Sequence, residues 1–69
     1  MYKSLYLKKG KEESLKRFHP WIFSGAVANV DDNVDEGEIV RVFTSAGDFI
    51  AVGMFQIGSI AVRVLSFRD

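Results

Sequence analysis

Short β-rich runs, some with side chains that divide between two faces at a period of two, recur along this chain, and each predicts a strand. Over residues 2–7, Tyr2 and Tyr6 fall near one face while Leu5 and Leu7 fall on the other. Residues 26–30 form a second short run. Residues 39–44 and 49–55 are β-rich and are joined by Ser45-Ala46-Gly47-Asp48, a hairpin in which Gly47 supplies the positive φ of the turn. In residues 60–67, Ile60, Val62 and Val64 face one way, Arg63 and Leu65 the other.

The period changes over residues 11–18, where a helix of about two turns is expected: Glu12 and Glu13 suit the N-terminal end of its dipole, Lys16 and Arg17 the C-terminal end. Leu15 and Phe18 give it an apolar stripe, and so short a helix must be held by packing on the sheet. Pro20 stops it by forcing His19 out of the helical region, and the chain turns into extended backbone at Trp21, Ile22 and Phe23. Ser24-Gly25 then offers a place where φ can be positive or backbone can be approached closely. About five strands in so short a chain cannot lie flat with both faces wet. A mainly β (α+β) fold follows, a curled sheet or small barrel plugged at one end by the helix.

Composition narrows the function more than the fold. With 69 residues and no cysteine, the chain is a single domain, residues 1–69, without disulfides or thiolate ligands, and its stability rests on packing. One histidine and scattered carboxylates make a zinc site improbable, and the acidic loop at residues 31–37 lacks the spacing of a calcium site. No apolar run is long enough to span a membrane and no signal peptide is visible, so a cytoplasmic protein is the simplest reading. The net charge is zero but segregated: residues 1–17 hold six bases against two acids, and residues 18–69 three bases against seven acids. That balance argues against indiscriminate coating of nucleic acid and still permits one basic face. The ending on Phe67-Arg68-Asp69, where a β-rich strand finishes, suggests a domain cut from a longer protein.

The run Leu7-Lys8-Lys9-Gly10-Lys11-Glu12, followed through Ser14-Leu15 by Arg17-Phe18-His19-Pro20-Trp21-Ile22-Phe23-Ser24-Gly25-Ala26, resembles the opening of the N-terminal PUA-like domain of bacterial S-adenosylmethionine-dependent rRNA (5-methylcytosine) methyltransferases. The similarity continues through Gly37-Glu38, Gly47, Gly53 and Ser59 to Val62-Arg63-Val64. Phe18 stands where an arginine is common in that family, and Gln56-Ile57-Gly58-Ser59 is shorter than its usual Asn-Pro turn. The resemblance implies a PUA-like pseudobarrel that binds RNA, fused to a C-terminal methyltransferase domain that would hold the S-adenosylmethionine. No cofactor is expected in this chain. A transferase of that kind attacks its base with a cysteine thiolate, which this chain lacks, so catalysis belongs elsewhere.

Binding is better supported by the residues. Lys8, Lys9 and Lys11 surround Gly10 before the expected helix, and Lys16 and Arg17 follow it, a set suited to RNA phosphates. Ser24 and Gly25 could lie beside them and let a sugar-phosphate chain approach, in the region where the resemblance places RNA. Shape recognition of a structured RNA, ribosomal RNA by the resemblance, is the expected mode. His19 has no partner at triad-like positions and fits a hydrogen bond that orders the hinge. Trp21, Phe23, Phe43, Phe49, Phe55 and Phe67 are expected mainly inward, as core in preference to base-stacking platforms. Arg63 is either an outward RNA contact or an ion pair with Asp48 or Glu38. Three readings stand: an RNA-binding module serving a fused methyltransferase, a protein-interaction or interdomain docking module, and a wall of the partner domain's substrate cleft.

Overall fold

The computed structural model describes residues 2–11 and 20–68. Among them are six strands, β1 (Lys3–Leu7), β2 (Trp21–Phe23), β3 (Val27–Val30), β4 (Ile39–Phe43), β5 (Phe49–Phe55) and β6 (Ile60–Ser66), with a single 3₁₀ turn at Ser24–Ala26. All belong to one sheet in the order β2-β6-β5-β4-β1-β3, in which β1 and β4 run parallel and the other neighbours antiparallel. The helix expected over residues 11–18 lies, beyond Lys11, outside the described residues, as do His19, Lys16 and Arg17.

The strand count exceeds the expected five because Trp21–Phe23, read from sequence as an apolar hinge, pairs with β6 as a strand of its own. Its position explains how the sheet curls. β2 and β3 are the two outermost strands of the sheet, yet only Ser24–Ala26 separates them in sequence. A 3₁₀ segment rises about 2 Å per residue, so the two edges must come close and the sheet must roll towards a barrel.

Alternation along the strands fills the interior of that roll. Leu5, Leu7, Ile22, Val40, Val42, Ala51, Ala61 and Val62 are buried, and no polar or charged side chain is buried with them among the described residues. Gly53 lies where β5 and β6 approach closely: a Cβ there would stand 2.6 Å from the carbonyl oxygen of Arg63. The hairpin between β4 and β5 forms as its residues dictate. Gly47 has φ +93° and donates to the Thr44 carbonyl, while the Thr44 hydroxyl accepts from the backbone N–H groups of Ala46 and Asp48.

The aromatic residues depart from the expected inward placement. In the three-residue β2 only the central Ile22 faces the core, leaving Trp21 and Phe23 41% and 53% exposed. Phe43 follows the buried Val42 and therefore lies on the opposite, outer face, where it stacks on Tyr6 (centroids 5.4 Å apart) and meets Phe49 edge-on (6.1 Å). The Arg41 guanidinium stands over both phenylalanine rings, 5.3 and 5.4 Å from their centroids. Phe55 and Phe67 do pack against the core.

Candidate nucleic-acid interface

β1 ends at the buried Leu7, and the chain emerges into a turn in which Lys8, Lys9, Gly10 and Lys11 are all exposed. The Lys11 N–H donates to the Lys8 carbonyl (3.0 Å) while Gly10 takes φ +84°, the pattern of a type II turn with glycine at its third position. A side chain at Gly10 would be strained, so glycine fixes how the lysines fan out around it. The turn is anchored from its base, since the Lys8 N–H donates to the Ala26 carbonyl (2.8 Å).

Ala26 closes the 3₁₀ turn, which is anchored at its other end. The Ser24 N–H donates to the Ser59 carbonyl (2.8 Å), and the Ser24 hydroxyl reaches the same oxygen (3.3 Å). Gly25 has no positive φ, and a Cβ built there would meet nothing within 4 Å, so neither backbone strain nor crowding requires a glycine at this exposed position. Three turns, at residues 8–11, 24–26 and 57–59, are thus linked by backbone hydrogen bonds that continue the β1–β3 and β2–β6 ladders at the two ends of the 3₁₀ turn. Of the site residues expected from sequence, the fold brings together Lys8, Lys9, Gly10, Lys11, Ser24 and Gly25.

Arg63 stands apart from that group. It is exposed on β6, directly across the ladder from Trp21 on one side and Met54 on the other. No ion pair joins it to Asp48 or Glu38 among the described residues, and Glu38 is engaged elsewhere. The Glu38 carboxylate lies 3.4 Å from Lys3 Nζ and accepts from the Asp35 N–H (3.1 Å). That backbone hydrogen bond chiefly, with Lys3 assisting against partial desolvation, holds the Glu38 carboxyl below its ordinary range. Lys3 also donates to the Asn33 carbonyl, and the Asp31 carboxylate accepts from the Ser4 N–H (2.8 Å), so the acidic loop is bound to β1 through these groups.

The profile of one family, described as a PUA-like domain, matches residues 5–67. The chain belongs to the PUA-like domain family. This is the fold that the His-Pro-Trp-Ile-Phe-Ser-Gly-Ala string implied, and the curled six-stranded sheet agrees with it. Among curated proteins the chain is similar to the ribosomal RNA large subunit methyltransferase I of Aliivibrio fischeri strain MJ11, 40% identical over 65 residues that make up 93% of this chain and 16% of the relative. The protein of that name from Vibrio campbellii is 43% identical over 69 residues, 99% of this chain and 17% of the relative. The chain therefore spans about a sixth of the length of these curated relatives.

Solved structures share the PUA-like fold at lower identity. A conserved PUA domain protein from Thermoplasma acidophilum superposes with a TM-score of 0.80 at 23% identity, covering 99% of this chain and 50% of that one. A chain of an archaeal box H/ACA sRNP complex gives 0.85 at 14% identity, covering 99% and 25%. Among the described residues, no helix is long and apolar enough to cross a membrane.

Proposed function

We propose that this PUA-like domain binds structured RNA, with ribosomal RNA as the candidate, and delivers to it a fused S-adenosylmethionine-dependent methyltransferase domain of the same polypeptide, in the cytoplasm. The observation that carries the reading is the 2.8 Å hydrogen bond from Lys8 to Ala26, which sets the three exposed lysines of one turn beside the open Gly25 of another. The names of the curated relatives support rRNA as the ligand and methyl transfer as the activity of the whole. In this reading Lys8, Lys9 and Lys11 neutralise phosphates, Gly10 and Gly25 let the sugar-phosphate chain approach backbone, and Ser24 adds a hydroxyl. Lys16 and Arg17, adjacent in sequence, extend the basic set, and Arg63 contributes from β6. S-adenosylmethionine and the catalytic thiolate would belong to the remainder of the polypeptide.

The test is a set of binding isotherms for labelled rRNA fragments at several salt concentrations, comparing the parent chain with the Lys8→Ala/Lys9→Ala/Lys11→Ala variant. These lysines are exposed, so melting curves should barely change. Affinity should fall for all RNA sequences alike, and the logarithmic salt slope should drop by up to about one unit per lost phosphate contact. An unchanged affinity and slope would remove RNA from this face. The docking reading would then take its place, supported by Leu65, 57% exposed on the outer face of β6 beside Arg63.

A further inference from the structure

The outer face of the sheet is not built as a face left to water. An antiparallel sheet with one solvated side turns apolar residues inward and polar residues outward. In β4 and β5 the inward positions are Val40, Val42, Ala51 and Gly53, all buried, and the outward ones are Ile39, Arg41, Phe43, Val52 and Met54. Arg41 is the one polar side chain of that outward set. The ladders place Ile39 beside Met54, Arg41 beside Val52, and Phe43 beside Phe49 and Tyr6. All of them stay half-buried, and Leu65, 57% exposed, carries the face on to β6. An apolar surface shared by neighbouring strands marks a contact site.

The chemistry of the face selects its occupant. RNA bases would need open ring faces, and here Phe43 stacks on Tyr6, meets Phe49 edge-on, and lies with Phe49 beneath the Arg41 guanidinium. A second copy of the chain, docked by a two-fold axis, would bring Arg41 towards a like charge, and the outward positions of β4, β5 and β6 hold no acid to offset it. The curated relatives supply a different occupant: this chain spans about a sixth of their length, so most of such a polypeptide lies outside the domain. Leu65 sits one residue before the end of β6 at Ser66, so polypeptide that follows β6 leaves the sheet beside this face. A domain tethered there meets it at high effective concentration. We propose that the outer face of β4 and β5, continued by Leu65, seats the methyltransferase part of the same polypeptide, through an apolar surface that bears acidic in place of basic groups. Arg63, exposed beside Trp21 at the margin of the face, belongs to its polar rim and keeps the RNA role proposed above. This rests on the reading that a methyltransferase domain belongs to the same polypeptide, and adds that the two are held in a fixed orientation alongside RNA binding.

The experiment is side-chain footprinting with hydroxyl radicals, comparing the full-length polypeptide with residues 1–69 alone. Met54 and Leu65 should be modified several-fold less in the full-length polypeptide, while Ile57, 73% exposed in the turn at residues 57–59, should be modified equally in both. Leu65→Glu in the full-length polypeptide should restore modification of Met54; in residues 1–69 alone it should leave the melting curve near that of the parent, because Leu65 is exposed there. The comparison of the two parents decides the matter without any variant. Protection of Met54 and Leu65 that grows with the concentration of residues 1–69 would assign the face to a second copy, and protection that requires RNA would assign it to RNA; either overturns the proposal. A full-length polypeptide that methylates rRNA with Met54 and Leu65 unprotected sinks the docking face alone. One that transfers no methyl group removes the reading on which the proposal rests.

Discussion

At the scale of single residues, the instructive pair is Ile22 and Trp21. Hydrophobicity alone would bury the tryptophan first, since it offers the larger apolar surface, but position in a three-residue strand decides the matter and turns the isoleucine inward at 3% exposure. Ile22→Ala should therefore lower unfolding stability by about 2–5 kcal/mol. Trp21→Ala should cost less than Ile22→Ala, because Trp21 keeps 41% of its surface in water in the folded chain. Denaturant midpoints of the two variants check the order, and the reverse order would place Trp21 in the core. Composition reveals that a residue is apolar; which face it occupies depends on a strand boundary that no local signal marks. The same limit hid the outer cluster of Tyr6, Arg41, Phe43 and Phe49, because its members are neighbours only across the ladders. The exposure of the lysines around Gly10, by contrast, was legible from charge alone.

At the scale of elements, legibility followed local chemistry. The β4–β5 hairpin was readable because Gly47 within Ser45-Ala46-Gly47-Asp48 marks its turn, while the part played by the Thr44 hydroxyl was not, and β5 was expected with its observed bounds. β2 was not readable, since three residues carry no period and its pairing with β6 spans about forty residues of chain. The acidic loop illustrates an element whose charges are structural. Glu38, which directly follows it and is held in the ionised form by the Asp35 N–H and by Lys3, has a folded pKa below its unfolded value. Its contribution is present above the unfolded pKa, near 4.5, and is lost as pH falls through the lowered folded pKa. Glu38→Gln should leave melting near neutral pH only slightly changed and should shallow the loss of stability between about pH 5 and pH 3. Melting temperatures across that range decide it, and an acid limb of unchanged steepness would show that Glu38 does not carry the effect.

At the scale of the whole molecule, a curled sheet was legible because too many β-rich runs share too short a chain, whereas its parallel β1–β4 pairing and strand order arise from contacts that no local pattern encodes. The order places both outer strands next to one short turn, and closure of the sheet depends on Ser24–Ala26 and the hydrogen bonds at its two ends. A small fold whose outer strands are joined by one short turn can open there by local unfolding before it unfolds globally. RNA that grips the turn at residues 8–11 and the turn at Ser24–Ala26 together would act as a clasp across the opening, and by mass action a ligand at a hundred times its Kd raises stability by about 2.7 kcal/mol. Hydrogen exchange should accordingly show the amides of Lys8 and Ser24, which donate to the carbonyls of Ala26 and Ser59 at the two ends of that turn, slowed by saturating RNA more than amides of the β4–β5 hairpin. Uniform slowing across the sheet would mean that the RNA opposes only global unfolding. If the clasp holds, the domain's ligand is also its fastener: a transcript of the right shape would complete the barrel that recognises it, and the protein would be at its most rigid only when engaged.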